Sequence, residues 1–353
     1  MTLQVSKEEL ISSSLAGAII GIISSLLTKL GNPIDGGISV ACFERDIAGA
    51  LGLHQIIQFS YVRPEIIGIV LGVFIVSILK KNFNSVGGSS TILRFFISMI
   101  ISFGVFVFIG CPMRLCQRIA GGDPTTVTAL IGLIFGIWIG TLILKQGFML
   151  GKAYPISIIN GYILPILILI LFLLLVVRPS FIIMTNSGHA PIFVSLIAGI
   201  IIGIIGQRTK LCFVSGFRNL FAIGDISLLG GFFSLIVFAG LTNIILGNFH
   251  LGIHKIGSGD LLWNFLALFL VGFGSVLIGG CPFRQLILSA QGNTDSMASV
   301  LGILVGSAIS YNFYISYIGE SLEIPGKIAI FGGIILLIII SLVNLKERRN
   351  KLL

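Results

Sequence analysis

The stretch Gly280-Cys281-Pro282-Phe283-Arg284 reveals how this chain is organised, because a near-identical copy of it occurs earlier in the sequence. Its counterpart is Gly110-Cys111-Pro112-Met113-Arg114, and the segment from 103 to 136 holds ten identities to the segment from 273 to 306. Cys42-Phe43 and Cys212-Phe213 are as far apart in the chain as Cys111 and Cys281. Two unrelated segments would not keep two cysteines in register over so long a separation. The sequence therefore predicts a duplicated unit with a cysteine pair in each copy.

The amino-acid composition indicates the environment in which this chain folds. Hydrophobic residues make up 56% of its 353 positions and charged residues only 10%, and no soluble chain of this length could bury so much apolar surface. The 45 glycines suit helices that pack closely in lipid. The net charge of +9 is not arranged as a basic stripe with interleaved aromatic residues, so no nucleic-acid partner is expected. The sequence predicts an all-α polytopic protein of the lipid bilayer.

About ten transmembrane helices are predicted from apolar spans of about 17–25 residues. We divide the chain into a first membrane repeat at 1–158, a connecting helix and loop at 159–188, a second membrane repeat at 189–325, and a final helix with a basic cytoplasmic tail at 326–353. Spans one to four fall in the first repeat and spans six to nine in the second. The predicted spans lie near 11–29, 64–79, 92–110, 125–144, 160–177, 190–206, 228–246, 261–280, 297–317 and 326–345.

The distribution of positive charge predicts the orientation. If the N-terminus is cytoplasmic and all ten spans cross, the cytoplasmic segments hold 14 of the 22 lysines and arginines and the other side holds eight. Both termini are therefore predicted to be cytoplasmic. Five crossings separate each element from its copy, so the two repeats have opposite orientation around a central path. Many transporters share this plan of inverted repeats.

Short segments follow all four of the cysteines that are in register, and each is too short to cross a membrane. Each has about a dozen residues and is amphipathic, which predicts a short re-entrant helix at a cavity. Pro112 and Pro282 are predicted to end the preceding helices, and Gly110 and Gly280 to let backbones approach closely. The four segments are Cys42 to His54, Pro112 to Gly122, Phe213 to Ile223 and Pro282 to Gly292.

Cys42, Cys111, Cys212 and Cys281 are candidate stations along a substrate path. The inversion would place the first two in the outer half and the last two in the inner half. A neutral thiol is a weak donor and a polarizable contact, and permeation needs weak binding at several sites. The alternative is that these cysteines are small apolar residues in helix packing. That alternative is favoured for Cys116, which has no cysteine partner in the second copy.

Polar residues beside the cysteines are candidate anion ligands. Arg114 and Arg284 follow their cysteines by three residues, about one helical turn, and a guanidinium fork suits oxyanions. Gln207 and Arg208 precede Cys212 and would attract anions at the inner mouth. The alternatives are that the arginines reach the surface or bind carbonyls at a helix end, and that Arg208 is ordinary cytoplasmic charge.

The run Glu44-Arg45-Asp46 alternates in sign and predicts a structural salt-bridge cluster. The sequence contains none of the motifs GxxxxGKS, GxGxxG, CxxC and HExxH, so no cofactor, no metal and no enzymatic activity are predicted.

At these residues the chain resembles the YeeE/YedE sulfur-transport family of bacterial membrane proteins. The resemblance lies in the paired Gly-Cys turns and in the element Gln207 to Phe213. It is most similar to the YedE-type branch of selenium transporters, through Gly31-Asn32-Pro33, the run 41–54 and the run 61–65. The resemblance implies that substrate passes to the cytoplasm past three cysteines, which by motif are Cys111, Cys212 and Cys281. It also implies a small TusA/SirA-like sulfur-carrier protein as the acceptor. Cys42 belongs to the selenium-type run.

The predicted function is a permease for a small selenium- or sulfur-containing solute, with a selenium species first and a thiosulfate-like anion next. One alternative is a membrane thiol-disulfide oxidoreductase. Such enzymes present close cysteine pairs. Cys111 and Cys116 are five residues apart, and the second copy has no such pair. Another alternative is a docking scaffold for a sulfur-carrier protein.

Overall fold

A computed structural model describes residues 4–34, 36–185, 188–253, 259–317 and 321–352. Within these ranges the chain is mainly helical, with one short antiparallel strand pair, β1 (Val86–Gly87) with β2 (Tyr154–Pro155), and one turn of 3-10 helix at Ile57–Phe59. The helices are α1 (Lys7–Lys29), α2 (Val40–Ala50), α3 (Pro64–Leu79), α4 (Thr91–Phe108), α5 (Pro112–Gly121), α6 (Thr126–Lys145), α7 (Ile158–Gly161), α8 (Ile163–Val177), α9 (Ile192–Thr209), α10 (Ser215–Ile223), α11 (Leu229–Leu246), α12 (Leu261–Ile278), α13 (Pro282–Ala290), α14 (Thr294–Asn312) and α15 (Ile324–Leu352).

Nine helical stretches of the described chain are long and apolar enough to cross a membrane. They contain nine of the ten predicted spans, and the predicted class of an all-α polytopic membrane protein is confirmed. The span predicted near 297–317 corresponds to α14, which is too polar to be among the nine. Its polar side chains face the protein, because the following are all buried: Asp295, Ser296, Ser299, Ser307 and Ser310.

The order of the elements occurs twice. Helices α1 to α6 and α9 to α14 follow the same sequence of long, short, long, long, short and long helices. The short helices α2, α5, α10 and α13 are the ones predicted beside the four cysteines. The connecting helices α7 and α8 lie between the copies, and α15 follows them. The domain limits at 158, 188 and 325 stay a prediction.

The two copies run in opposite directions. The amide of Ala190, just before α9, donates to Oδ1 of Asn32, just after α1, at 2.8 Å. At the other end of these helices, Arg208 of α9 and Glu8 of α1 line the same surface cavity. The first helix of each copy is therefore antiparallel to the first helix of the other, as expected for inverted repeats.

The N- and C-terminal parts of the chain lie on one side of the molecule, which we call the terminal face. Gln4 pairs with Asp225, and the amide of Met149 donates to Asn344 near the end of α15. The pairing of β1 with β2 joins the loop after α3 to the loop after α6 on this face. Lys255, which is one of the eight cations predicted on the other side, lies outside the described residues.

The copies interlock, because their long helices pack against each other across the repeat boundary. The main pairs are α1 with α11, α3 with α9, α4 with α14 and α6 with α12. A side chain at Gly132 would strike the carbonyl of Phe265, and one at Gly302 would strike the carbonyl of Phe95. Gly132 and Gly302 are as far apart in the chain as the two cysteine turns, and so are Phe95 and Phe265. The packing therefore has the same internal symmetry as the sequence. Glycine is needed where helix backbones meet this closely.

Candidate functional site

Each of the two Gly-Cys-Pro turns joins a long helix to a short one. The long helices end in left-handed residues, Ile109 (φ 57°) after α4 and Gly279 (φ 90°) after α12. Pro112 and Pro282 are the first residues of α5 and α13, a position that suits proline because no amide hydrogen is needed there. The preceding helices end shortly before these prolines, as predicted, and the prolines also begin the short helices.

Gly110 and Gly280 leave room for the arginine that follows them. A Cβ atom added at Gly110 would lie 3.2 Å from Cδ of Arg114, and one added at Gly280 would lie 2.9 Å from Cγ of Arg284. The nearest neighbours are thus arginine side chains. The prediction that these glycines admit a second backbone is wrong, and their effect is to let each arginine fold back over its own cysteine turn.

The first half-site is formed by Cys42, Cys111 and Arg114. Nη1 of Arg114 donates to Sγ of Cys42 at 3.5 Å, and Sγ of Cys111 is hydrogen-bonded to the hydroxyl of Ser39 at 3.6 Å. These three residues are all at most 3% exposed. Nε of Arg114 is buried and has no hydrogen-bond partner in the described part of the chain. The half-site therefore contains two thiols and an arginine that has one unpaired N–H donor.

The second half-site is formed by Cys212, Cys281 and Arg284. The two sulfur atoms are 3.5 Å apart in a thiol hydrogen bond, and the amide of Cys281 donates to Sγ of Cys212 at 3.3 Å. Both thiols are buried and free. Arg284 lies within electrostatic range of both, and its Nη1 is buried without a partner among the described residues. The same three residue types thus recur, but here the two sulfurs contact each other.

A cavity of about 650 Å³ opens from the second half-site to the terminal face. Gln207 and Arg208, which the sequence predicted at an inner mouth, line it together with Arg284. Its described lining includes five cations and no carboxylate: Lys80, Lys81, Arg208, Lys210 and Arg284. Such a cleft concentrates anions, because like charges in a low-dielectric cavity add their potentials.

A buried ion-pair cluster lies beside the first half-site. Asp46 accepts from Arg45 at 2.6 Å and from Arg63 at 2.6 Å, and Arg45 also donates to the hydroxyl of Tyr311. A salt-bridge cluster was predicted in the run 44–46, but Glu44 makes none of its bonds. The second arginine, Arg63, comes from 17 residues further on, and no local sequence signal pointed to it.

Cys116 is separate from both half-sites. Its sulfur donates to the carbonyl of Pro112 at 3.3 Å, one turn back on the same helix. A second buried ion pair, Arg118 with Asp123 at 2.6 Å, closes the end of this helix. Both contacts are local to α5 and the turn after it, which agrees with the packing interpretation of Cys116.

Fold and site together define a polytopic membrane protein of inverted repeats, with two buried cysteine–arginine half-sites and a basic cavity. Residues 208–346 match the family described as Sulphur transport. The thiosulfate transporter TsuA of Spirochaeta thermophila is 27% identical over 137 residues, which cover 36% of this chain and 40% of that transporter. Over residues 208–346 the chain is therefore similar to the YeeE/YedE sulfur-transport family. Its place in the selenium-type branch stays a prediction.

Proposed function

We propose that the protein is a permease that imports a small selenium- or sulfur-containing anion past its buried cysteines into the cytoplasm. A selenium species is the first candidate, from the resemblance of the run 41–54 to the selenium-type branch. A thiosulfate-like anion is the second, from the similarity to a thiosulfate transporter. The chain is proposed to carry the anion unchanged and to need no cofactor.

The unpaired donors of the two arginines carry this proposal. Nε of Arg114 and Nη1 of Arg284 are buried N–H groups for which the described residues supply no acceptor. Buried donors are nearly always satisfied, so each requires an acceptor from outside the protein. An oxyanion supplies oxygens of suitable charge and geometry, and its sulfur or selenium atom can lie against the neighbouring thiol.

The proposed path runs from the first half-site to the second and then into the basic cavity. Cys42, Cys111 and Arg114 receive the anion, and Cys212, Cys281 and Arg284 hold it next. Gly110 and Gly280 keep both arginines folded over the turns, where they can meet it. Several weak stations in series favour passage over trapping.

The acceptor on the cytoplasmic side is proposed to be a TusA/SirA-like sulfur-carrier protein. In support, the basic cavity is lined by Arg284 of the second half-site and opens at the terminal face. A carrier with an acidic rim would be attracted to this opening. Binding of purified carrier to the detergent-solubilised protein, with and without Lys80→Glu and Lys210→Glu, tests this arrangement.

We further propose that the terminal face is cytoplasmic in the plasma membrane of a bacterium. The 14-to-8 bias of positive charge supports this orientation. Reporter fusions after Lys81, after Lys152 and at the C-terminus should all give a cytoplasmic signal. A periplasmic signal at any of the three would contradict the orientation.

The transport proposal is tested by uptake of labelled selenite, thiosulfate and sulfate into cells with and without the protein. Cells that express it should accumulate selenite or thiosulfate above the background of cells that lack it. Cys281→Ala at matched membrane levels should abolish the difference. Equal uptake of all three anions with and without the protein would refute the permease.

A second candidate function is thiol-disulfide exchange, because the sulfurs of Cys212 and Cys281 are only 3.5 Å apart. A redox enzyme of this kind would change the thiol status of a partner without moving labelled anion. The uptake measurement, combined with a count of free thiols before and after exposure to a carrier protein, separates the two functions.

A further inference from the structure

Glu44 is a buried carboxyl group that the cysteine–arginine sites leave unused. It lies on α2, two residues after Cys42, and is 2% exposed. Neither of its carboxyl oxygens has a hydrogen-bond partner in the described part of the chain. An ionised carboxylate without partners is costly in a protein interior, so this environment accommodates Glu44 as the neutral acid. The corresponding position of the second copy is Val214, which cannot hold a proton.

The nearby cations are bound to other groups. Arg45 and Arg63 both bind Asp46, and Arg114 donates to the sulfur of Cys42. No ion pair of the described chain therefore joins Glu44 to any of these three arginines.

The remaining titratable groups around α2 are occupied as well. His54 is hydrogen-bonded to the carbonyl of Arg45, and the hydroxyl of Tyr311 on α14 accepts from Arg45. Glu65 at the start of α3 accepts from Asn32 and Ser195 through one oxygen. Arg284 on α13 lies at the second thiol pair. No hydrogen bond or ion pair of the described chain links any of them to Glu44.

The summed charge of Arg114 and the neighbouring ion-pair cluster depends on the proton of Glu44. Three arginines (Arg45, Arg63 and Arg114) and one aspartate (Asp46) leave two positive charges uncompensated. Ionisation of Glu44 would reduce this excess to one. A dianion at Arg114 is therefore held more strongly while Glu44 is protonated. By thermodynamic reciprocity, the bound anion also strengthens the binding of the proton to Glu44.

We propose that Glu44 is the proton-binding site of a proton-coupled anion permease. An anion at Arg114 and a proton on a carboxyl oxygen of Glu44 are taken up together at the first half-site. When the anion leaves, the O–H bond of Glu44 breaks and the proton passes to water. No other bond forms or breaks, and no electrons move. This inference rests on the proposed permease function and adds a second transported species to it.

The test uses the full-length protein in vesicles, with labelled thiosulfate outside and a pH-sensitive dye inside. At one proton per anion, an inward proton gradient of about one pH unit should raise accumulation about tenfold. The interior should also acidify when thiosulfate is added. Glu44→Gln keeps the shape of the neutral acid but cannot release a proton, so its vesicles should fill to equilibrium without responding to the gradient.

Two further variants control this experiment. Glu44→Asp keeps a titratable carboxyl group and should keep the response to the gradient. Glu9→Gln removes an exposed carboxyl group at the terminal face and should behave like the wild-type protein.

The proposal is overturned if wild-type vesicles accumulate label without responding to the gradient, or if Glu44→Gln responds as the wild type does. A wild-type protein that moves no label would refute the permease function instead. Infrared spectroscopy then decides the state of Glu44 separately. The carbonyl band of a protonated carboxyl should be present in the wild type and missing in Glu44→Gln, and its absence from the wild type would also overturn the proposal.

Discussion

The two copies of the cysteine unit share a backbone frame and differ in how they hold charge. In the first copy, Arg114 contacts the sulfur of Cys42 and the site is buried beside an ion-pair cluster. In the second, Cys212 and Cys281 contact each other, and Arg284 lines a basic cavity. The turns themselves are built alike, each with a left-handed residue, a cysteine and a proline at the start of a short helix.

The comparison shows which features are the same in the two copies and which differ. The glycine contacts between helices occur at matching positions in both copies, since both copies must pack against each other. The charged run Glu44-Arg45-Asp46 corresponds to Val214-Ser215-Gly216, so the charge was not kept. A symmetric frame with unlike ends suits directional passage, because one end can select an anion and the other can release it.

The largest effect is expected from disrupting the close helix packing that the two copies share. Gly132→Val and Gly302→Val would each drive a side chain into the backbone carbonyl of the facing helix, and both should prevent accumulation of folded protein. Gly332→Val is the matched control, since nothing lies within 4 Å of the added Cβ atom. The measurement is the monodisperse fraction after extraction from the membrane. If one of the two variants folds normally, the two copies do not depend equally on this glycine packing.

The next effect concerns the thiols. Cys111→Ala, Cys212→Ala and Cys281→Ala should each reduce uptake to background with normal expression, because each removes a proposed station. Cys116→Ala should be mild, since its sulfur contacts only the preceding turn of its own helix among the bonds described. Uptake that falls equally in all four variants would rule out distinct thiol stations.

The sequence predicted the long helices closely because lipid imposes their length and apolar character. The span predicted at 64–79 is helix α3 at Pro64–Leu79. The span predicted at 297–317 is displaced to Thr294–Asn312, because polar residues on a helix covered by protein weaken the apolar signal. The last helix extends to Leu352, because a basic segment can continue a helix beyond the apolar span.

The contacts within the half-sites could be predicted only in part. The register of the cysteines indicated that Cys212 and Cys281 belong together, but a contact between positions so far apart in the chain depends on how the turns fold. The pairing of Arg63 with Asp46 gave no local signal. The role of Gly110 and Gly280 was misjudged, because the sequence shows that space is needed but not which atoms use it.

A smaller effect should distinguish the two arginines. Arg114→Ala removes charged hydrogen bonds at a closed site, worth about 1.5–3 kcal/mol, and should lower uptake roughly 10- to 100-fold. Arg284→Ala should cost less, because four other cations line the same cavity. Its defect should also deepen as salt is added, since salt screens the remaining exposed charges. The measurement is initial uptake rate against substrate and salt concentration, with Arg114→Lys and Arg284→Lys as charge-retaining controls. Equal losses in the two alanine variants would remove the distinction.

The smallest effect is expected from Cys281→Ser, and it decides how the second half-site handles sulfur. Serine keeps a small hydrogen-bond donor but cannot form a sulfur–sulfur or sulfur–selenium bond. If passage uses weak thiol contacts, one contact is worth on the order of 1 kcal/mol, and the initial uptake rate should fall roughly fivefold. A covalent relay through this sulfur would lose all uptake, because serine cannot replace a thiolate nucleophile.

The comparison with Cys281→Ala at matched membrane levels makes this measurement decisive. Residual uptake in the serine variant, against background uptake in the alanine variant, supports non-covalent passage. Background uptake in both would contradict it, provided that serine does not simply draw water into a site that the thiol keeps dry. Cys111→Ser is the internal control for that effect, because Cys111 already has a hydroxyl neighbour in Ser39 and no sulfur–sulfur contact is described for it. A covalent relay confined to the contacting pair predicts total loss at Cys281 and partial loss at Cys111, whereas non-covalent passage predicts partial loss at both.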